Sequence, residues 1–318
     1  MVRRPLGESP ARRPYRAYGI ELLCDFPLAV ATAPADFRVA ASIAARIGSR
    51  QEVEELWSGG GPLHEVRSVD GAPLAVERGD AGDHLVRHGS DQFHLTPALD
   101  RLTCAPAAGP DLTWQHVLLD WVAYIAASLR GAHCLHAGAI QMPAGVVAIA
   151  GATGSGKTTL VVELAERGAT FFCDDVLALE PRAGRALGHP GPPFVLVERE
   201  RAARAAGLLP PLALLGGEAW VEVARPANEP APVAAVVLLD RRQGGPAVPR
   251  FAPAGFVDLR SLAVGLPRPG EDQERERFAT LAALAAEAPI VRLSAASSVP
   301  PAALAAALEA RLGPGVSS

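Results

Sequence analysis

The hydrophobic pattern of this chain changes its period part-way along. From Tyr15 to about Gly109, apolar and polar residues alternate in short runs broken by Gly, Pro and Asp: Phe37-Arg-Val-Ala-Ala41, Glu65-Val-Arg-Ser-Val69, Leu74-Ala-Val-Glu-Arg78, His84-Leu-Val-Arg-His88 and Gln92-Phe-His-Leu-Thr96. A period of two puts alternate side chains on opposite faces, so these runs predict hairpins. From Asp111 to Arg130 the period lengthens. Trp114, Leu118, Trp121, Val122, Ile125 and Leu129 recur at helical spacing, with Asp111 placed to cap and Gly131 to stop the helix. Two apolar strands follow, Ala132–Ile140 and Gly145–Ala150, then a helical run over 158–167 and a strand over 169–179. Trp220–Val223 and Val233–Leu239 read as strands, the second apolar enough to be buried on both faces. Arg275–Glu287 and Pro301–Leu312 read as helices in a helical tail, and the stretch 241–256 as loops. The resulting fold class is α/β: a disordered tail over 1–14, a small β-rich unit over 15–110, and a larger α/β domain over 111–318.

Composition sharpens one junction in this pattern. The 30 Lys and Arg residues comprise 29 arginines and a single lysine, Lys157. It closes Gly151-Ala152-Thr153-Gly154-Ser155-Gly156-Lys157-Thr158, a G-x-x-x-x-G-K-[ST] loop between a predicted strand and a predicted helix, which is the setting a phosphate-binding P-loop requires. With 31 glycines in 318 residues, a lone lysine would acquire these neighbours by chance roughly once in 1000. Glycines let successive N–H groups turn towards a phosphate chain, and the helix N-terminus adds partial positive charge. On that basis Gly151 to Thr158, with Thr159, are the candidate nucleotide contacts, Lys157 reaching the β- and γ-phosphates and Thr158 a Mg²⁺ ion.

The strand after the loop helix carries adjacent aspartates, Asp174 and Asp175. In a regular strand only one of the pair can face the phosphates; both can do so only if the strand ends there. Upstream, His136 stands in Leu135-His-Ala-Gly138. Over about 132–180 this order of His136, loop, helix ending Glu166-Arg-Gly168 and Asp174-Asp175 resembles the catalytic domain of the HPr kinase/phosphorylase family. The resemblance implies a P-loop kinase fold, ATP and Mg²⁺ as cofactors, Thr158 and Asp174 on the metal, Asp175 as general base and His136 in proton handling. The Arg-Gly-Leu-Gly type segment of that family does not follow the Asp-Asp strand; Val195–Arg201 stands there instead. The opening, Tyr15-Arg-Ala-Tyr-Gly-Ile-Glu-Leu22 with Phe26-Pro-Leu28, resembles the shorter HPr kinase-like proteins of lasso-peptide gene clusters, which phosphorylate the C-terminal serine of a precursor peptide. Arg225, between two predicted strands, is a candidate transition-state cation or a structural arginine.

The function expected from these readings is ATP-dependent phosphorylation of a serine on a peptide or small protein. The alternatives are an HPr-type protein serine kinase/phosphorylase, a small-molecule kinase and a non-catalytic nucleotide switch. A base 18 positions beyond the lysine favours a kinase over a switch. Net charge −4 and pI near 6.1 give no reason to expect a nucleic-acid or membrane partner. The longest apolar run, Val117–Leu129, contains Asp120 and is too short to span a bilayer. Cys24, Cys104, Cys134 and Cys173 lack zinc or disulfide spacing and read as reduced core thiols of a cytoplasmic protein. Self-association is left open. His84, His88 and His94 read as surface strand histidines rather than metal ligands, and the Glu198–Arg204 charges as a solvated face. Gly188–Pro193 reads as a turn or as the border of a substrate cleft.

Overall fold

The computed structural model describes residues 12–32, 41–69, 71–109, 111–182, 185–203, 207–264 and 271–313. The alternating N-terminal runs form β1 (Arg13–Ala17), β2 (Ile20–Cys24), β3 (Ala41–Ile47), a short helix α1 (Arg50–Leu56), then β4 (Gly60–Val69), β5 (Ala72–Gly79), β6 (His84–His88), β7 (Asp91–Leu95) and β8 (Arg101–Ala105). They make one eight-stranded sheet in the order β1-β2-β3-β8-β7-β6-β5-β4. Arg13 and Pro14, expected in the tail, already belong to β1, because the Arg13↔Cys24 and Pro14↔Leu23 pairs extend the hairpin to them. Of the run expected as a strand over 37–41, residues 37–40 lie outside the described residues.

The predicted helix over 111–130 forms as α2 (Thr113–Val117), a π-helical turn (Leu118–Val122) and α3 (Ala123–Leu129). Beyond it run β9 (His133–Met142), β10 (Gly145–Ala150), α4 (Lys157–Glu166), β11 (Thr170–Cys173), β12 (Val176–Arg182), β13 (Arg185–His189), β14 (Phe194–Val197), α5 (Arg199–Ala202), β15 (Ala213–Leu215), β16 (Glu218–Glu222) and β17 (Ala231–Arg242). The chain closes with β18 (Arg250–Pro253), α6 (Phe256–Arg260), β19 (Ala263–Val264), α7 (Glu271–Glu287), β20 (Ile290–Ala296) and α8 (Pro301–Leu312). The tail is therefore not all helical, and 241–256 is not all loop. β20 pairs in parallel with β17, and β18 lies antiparallel along it.

The second large sheet runs β10-β9-β12-β13-β17-β20-β18, and β17 also pairs with β10, so its first strands close on themselves. β10, β17 and β20 are parallel neighbours, which aligns their C-terminal ends on one edge. Both faces are covered. Val147 and Ile149 of β10 and Val237 and Leu239 of β17 pack with Leu160, Leu164, Leu304 and Leu308 of α4 and α8. The intervening Ala148, Val236 and Leu238 pack with Leu281 and Leu284 of α7. Near-continuous apolar strands are the sequence signature of such a two-sided sheet.

The N-terminal sheet has no core boundary with the rest. Tyr15 and Leu22 share one buried cluster with Leu118 and Val122 of the π turn, Ala178 of β12, Phe194 of β14 and Trp220 of β16. Within the N-terminal sheet His84, His88 and His94 are buried, against the surface placement expected. His94 Nε2 lies 2.8 Å from Asp83 Oδ2, and the other oxygen of Asp83 accepts from Ser58 at 2.5 Å, a polar tie between turns.

Candidate functional site

The loop after β10 depends on glycine conformations: Gly154 and Gly156 have φ of +78° and +89°, where a Cβ is strained. Gly156 caps α4 with no side-chain hydrogen bond. The first N–H groups of this ten-residue helix are thus left for an anion. Ala152, Thr153 and Gly154 form the exposed tip. Lys157 is only 6% exposed, and its Nζ donates to the carbonyls of Gly151 (3.2 Å) and Ala152 (3.5 Å), so the ammonium lies over the loop's own concavity.

The acidic pair is set by where β11 stops. Its last residue is Cys173; Asp174 and Asp175 form a tight turn closed by the Val176 N–H donating to the Asp174 carbonyl at 2.7 Å. Asp175 takes φ +58°, a left-handed conformation that aspartate tolerates better than most residues. Both aspartates are therefore released from strand alternation. Thr158 Oγ1 donates to Asp174 Oδ1 at 3.0 Å, joining the loop to the acidic turn. His136, paired with Val176 across β9 and β12, sets its Nδ1 3.0 Å from the Asp175 carbonyl. A carbonyl only accepts, so Nδ1 carries the proton and, in the neutral ring, Nε2 is left as the acceptor. Gly138 makes the approach fit: a Cβ there would stand 2.9 Å from Val161 Cγ2 and 3.4 Å from Asp174 Oδ1.

Burial and the neighbouring Asp175 charge push the Asp174 carboxyl well above the ordinary 3.8, against the opposing Thr158 hydrogen bond. A group in that position holds a proton or welcomes a cation. The donor set suits Mg²⁺, which takes hard oxygens and is commonly held by one or two protein groups plus substrate phosphates. Thr158 Oγ1 and Asp174 are two such oxygens. Among the described residues no group of three or more His, Cys, Asp or Glu side chains could hold a metal ion unaided. Two buried polar atoms near the loop also have no hydrogen-bond partner, Ser155 Oγ and Arg241 Nε. Unsatisfied buried groups of this kind are uncommon and call for a specific reason, such as a ligand that completes them.

Arg241 belongs to none of the motifs read from the sequence. It sits at the C-terminal end of β17, with Nη2 donating to the Ser297 (2.7 Å) and Val299 (2.9 Å) carbonyls, and Nη1 only 2.8 Å from where a Cβ on Gly156 would stand. The available signal was a charged residue ending a buried parallel strand beside the loop strand. Arg225 lies elsewhere: it is exposed, and its carbonyl accepts from Phe171 N–H at 3.1 Å, alongside the start of β11 rather than its end. Thr159 contributes its carbonyl to Arg201 Nη2 at 3.4 Å, and Arg201 also reaches Glu163 and Glu166, so part of the predicted solvated face packs on α4. Asp120 was likewise passed over. Its charge raises the proton affinity of both Cys173 and Asp174, and it accepts from the Tyr18 hydroxyl at 2.7 Å. All four cysteines are buried and unbonded.

The chain is similar to a solved structure, that of the Hpr(Ser) kinase/phosphatase from Coxiella burnetii, at 17% identity over 47% of this chain and 93% of that one, with a TM-score of 0.26. No family model and no curated protein matches it. Among the described residues no helix is long and apolar enough to cross a membrane.

Proposed function

We propose that this chain is an ATP-dependent kinase that transfers the γ-phosphoryl group to a serine hydroxyl of a peptide. The observation that carries the reading is the Thr158–Asp174 hydrogen bond of 3.0 Å, which brings a P-loop and an acidic turn into one site. A module that only bound nucleotide would have no use for a second carboxylate on the same turn. Gly151 to Gly156 and the N-terminus of α4 would cradle the phosphates, with Lys157 neutralising charge that develops on the transferred group. Thr158 and Asp174 would hold Mg²⁺, which supplies charge neutralisation at the phosphate oxygens when bound. Asp175, at the outer side of the turn, would accept the proton of the serine hydroxyl held in line. His136, through its Nδ1–H to the Asp175 carbonyl, would fix that turn and leave Nε2 to relay the proton. Arg241, beside Gly156, is better positioned than Arg225 to add a guanidinium at the phosphates.

The peptide acceptor rests on the Tyr15–Leu28 resemblance. Those residues form the first hairpin and its exit, with the Tyr15 hydroxyl accepting from Leu28 N–H at 2.9 Å. The expected product is a precursor peptide ending in phosphoserine, heavier by roughly 80 Da, the mass of one added phosphoryl group. Mass spectrometry of a serine-terminated peptide, its truncated form and HPr, each incubated with protein, ATP and Mg²⁺, checks it. Only the intact peptide should be labelled. Efficient labelling of HPr, or reversal by inorganic phosphate, would move the chain to a bifunctional HPr-type enzyme; bound ATP without transfer would make it a nucleotide switch.

A further inference from the structure

A groove between α6 and α7 takes no part in the chemistry above. It has a volume of about 520 Å³ and is walled by Phe256 and Arg260 of α6, Ala263 of β19, and Arg277, Phe278 and Leu281 of α7. Its apolar part is a ring pair: Phe256 and Phe278 meet edge to face with 5.0 Å between centroids, and Phe278 is still 55% exposed. Its rim is basic. Arg277 pairs with Glu274 at 3.5 Å and Arg275 with Asp272 at 3.2 Å, whereas Arg260 is exposed and has no ion pair among the described residues. The excess positive charge of the groove therefore sits on Arg260, beside the two rings. The groove also adjoins the acidic turn through the sheet. Leu135 of β9 pairs with Leu177 of β12 on one side and with Ala263 on the other. β10 ends opposite Ala137, and just beyond it the Leu262 carbonyl accepts from the His136 N–H at 2.8 Å. Ala263 thus stands two strand spacings, about 10 Å, from the strand that starts at Val176, directly after Asp175. An extended chain crosses that distance in about three residues.

We infer that this groove holds the acceptor peptide by an acidic segment with one large apolar side chain, roughly three to six residues before the terminal serine. The inference rests on the peptide-kinase reading and adds to it what the peptide must carry. The ring pair takes the apolar side chain, Arg260 takes a carboxylate, and the residues that follow run past β19 and β9 to bring the hydroxyl to Asp175. An exposed charge of this kind steers encounter and rejects basic segments more than it adds raw affinity, so the groove acts on which peptide is chosen.

The test uses a pair of fluorescent peptides that both end in serine. One carries glutamates flanking a leucine at these positions, and the other carries lysines in place of the glutamates. Binding to the full chain with a non-hydrolysable ATP analogue and Mg²⁺ is read by anisotropy, and transfer from ATP by initial rates. Wild-type protein should bind the acidic peptide about tenfold more tightly, a preference that shrinks as salt is raised. Arg260→Glu should remove or invert that preference, the loss falling on KM rather than kcat, with ATP affinity unchanged. Phe278→Ser should weaken both peptides alike, because both carry the leucine. Equal wild-type affinity for the two peptides, or an unaltered preference in Arg260→Glu, overturns the inference. So does a concentration-dependent dimer that Phe278→Ser dissolves, which would make the groove an interface between copies of this chain. A preference that Arg260→Glu inverts, with neither peptide phosphorylated, would keep the groove and end the kinase reading; phosphorylation of both peptides at equal KM would do the opposite.

Discussion

The two ends of the candidate site meet at the Thr158–Asp174 hydrogen bond, and the chain builds them differently. The loop end is one contiguous stretch, β10, Gly151–Gly156 and α4, and its working parts are backbone N–H groups and one ammonium. The acidic end is gathered from separate segments: His136 on β9, the Asp174–Asp175 turn after β11, and Thr158 at the start of α4. A contiguous site needs only local geometry to form. A gathered one exists only when the sheets, the helix and their shared core are all in place, so it is the end through which the rest of the molecule can influence chemistry.

That contrast can be broken most severely from the loop side. Lys157→Ala should lower phosphoryl transfer by about 10³-fold, the scale of removing a preorganised charge from the transition state, with the melting temperature little changed. A coupled ADP assay beside a thermal melt reads both. At the acidic end the two aspartates should separate. Asp175→Asn is expected to cost about 10²-fold in turnover with nucleotide still bound, as for loss of a general base. Asp174→Asn should instead raise the Mg²⁺ requirement and, without metal, stabilise the protein. The reason is linkage. Asp174 has a folded-state value raised above 3.8, so the folded protein binds its proton more tightly than the unfolded chain does; this contribution to metal-free stability is full below 3.8 and is lost as pH rises from there through the folded-state value. The Asn variant should lose this component of the pH dependence, measured by denaturant titration across the acidic range. The smallest expected effect joins the two ends. Gly138→Ala would push a methyl against Val161 and Asp174 and should cost about 1–3 kcal/mol by overpacking, lowering Mg²⁺ affinity along with stability. An unchanged Mg²⁺ response would mean that Asp174 tolerates displacement and that the two ends are less coupled than their contact suggests.

How much of this was legible follows the same division. The loop could be read because its residue types are each demanded by local backbone geometry. The aspartates could be read as a pair, but not the turn that frees both, because nothing in the residues themselves ends β11 at Cys173. α1 carried a readable signal that went unused: Ser49 caps it by accepting from Glu52 N–H at 3.1 Å, three residues on. β18 and β20 were hidden for a different reason. Pro253 ends one after four residues, and both depend on long-range pairing rather than on strong alternation.

The sequence by itself determined that a glycine-rich G-x-x-x-x-G-K-[ST] loop stands between a buried strand and a helix, that an acidic pair follows one helix later, and that an alternating β-rich region precedes them. Spacing and residue type are local quantities, and the backbone converts them directly into turns, caps and faces. Only the tertiary structure decided that the N-terminal sheet shares a core with the site, that Arg241 rather than Arg225 lies against the loop, and that Tyr18 reaches Asp120 across 102 positions of chain. Such contacts arise from how apolar faces are buried against one another. That choice is made by the whole set of surfaces at once, so no single stretch of residues records it.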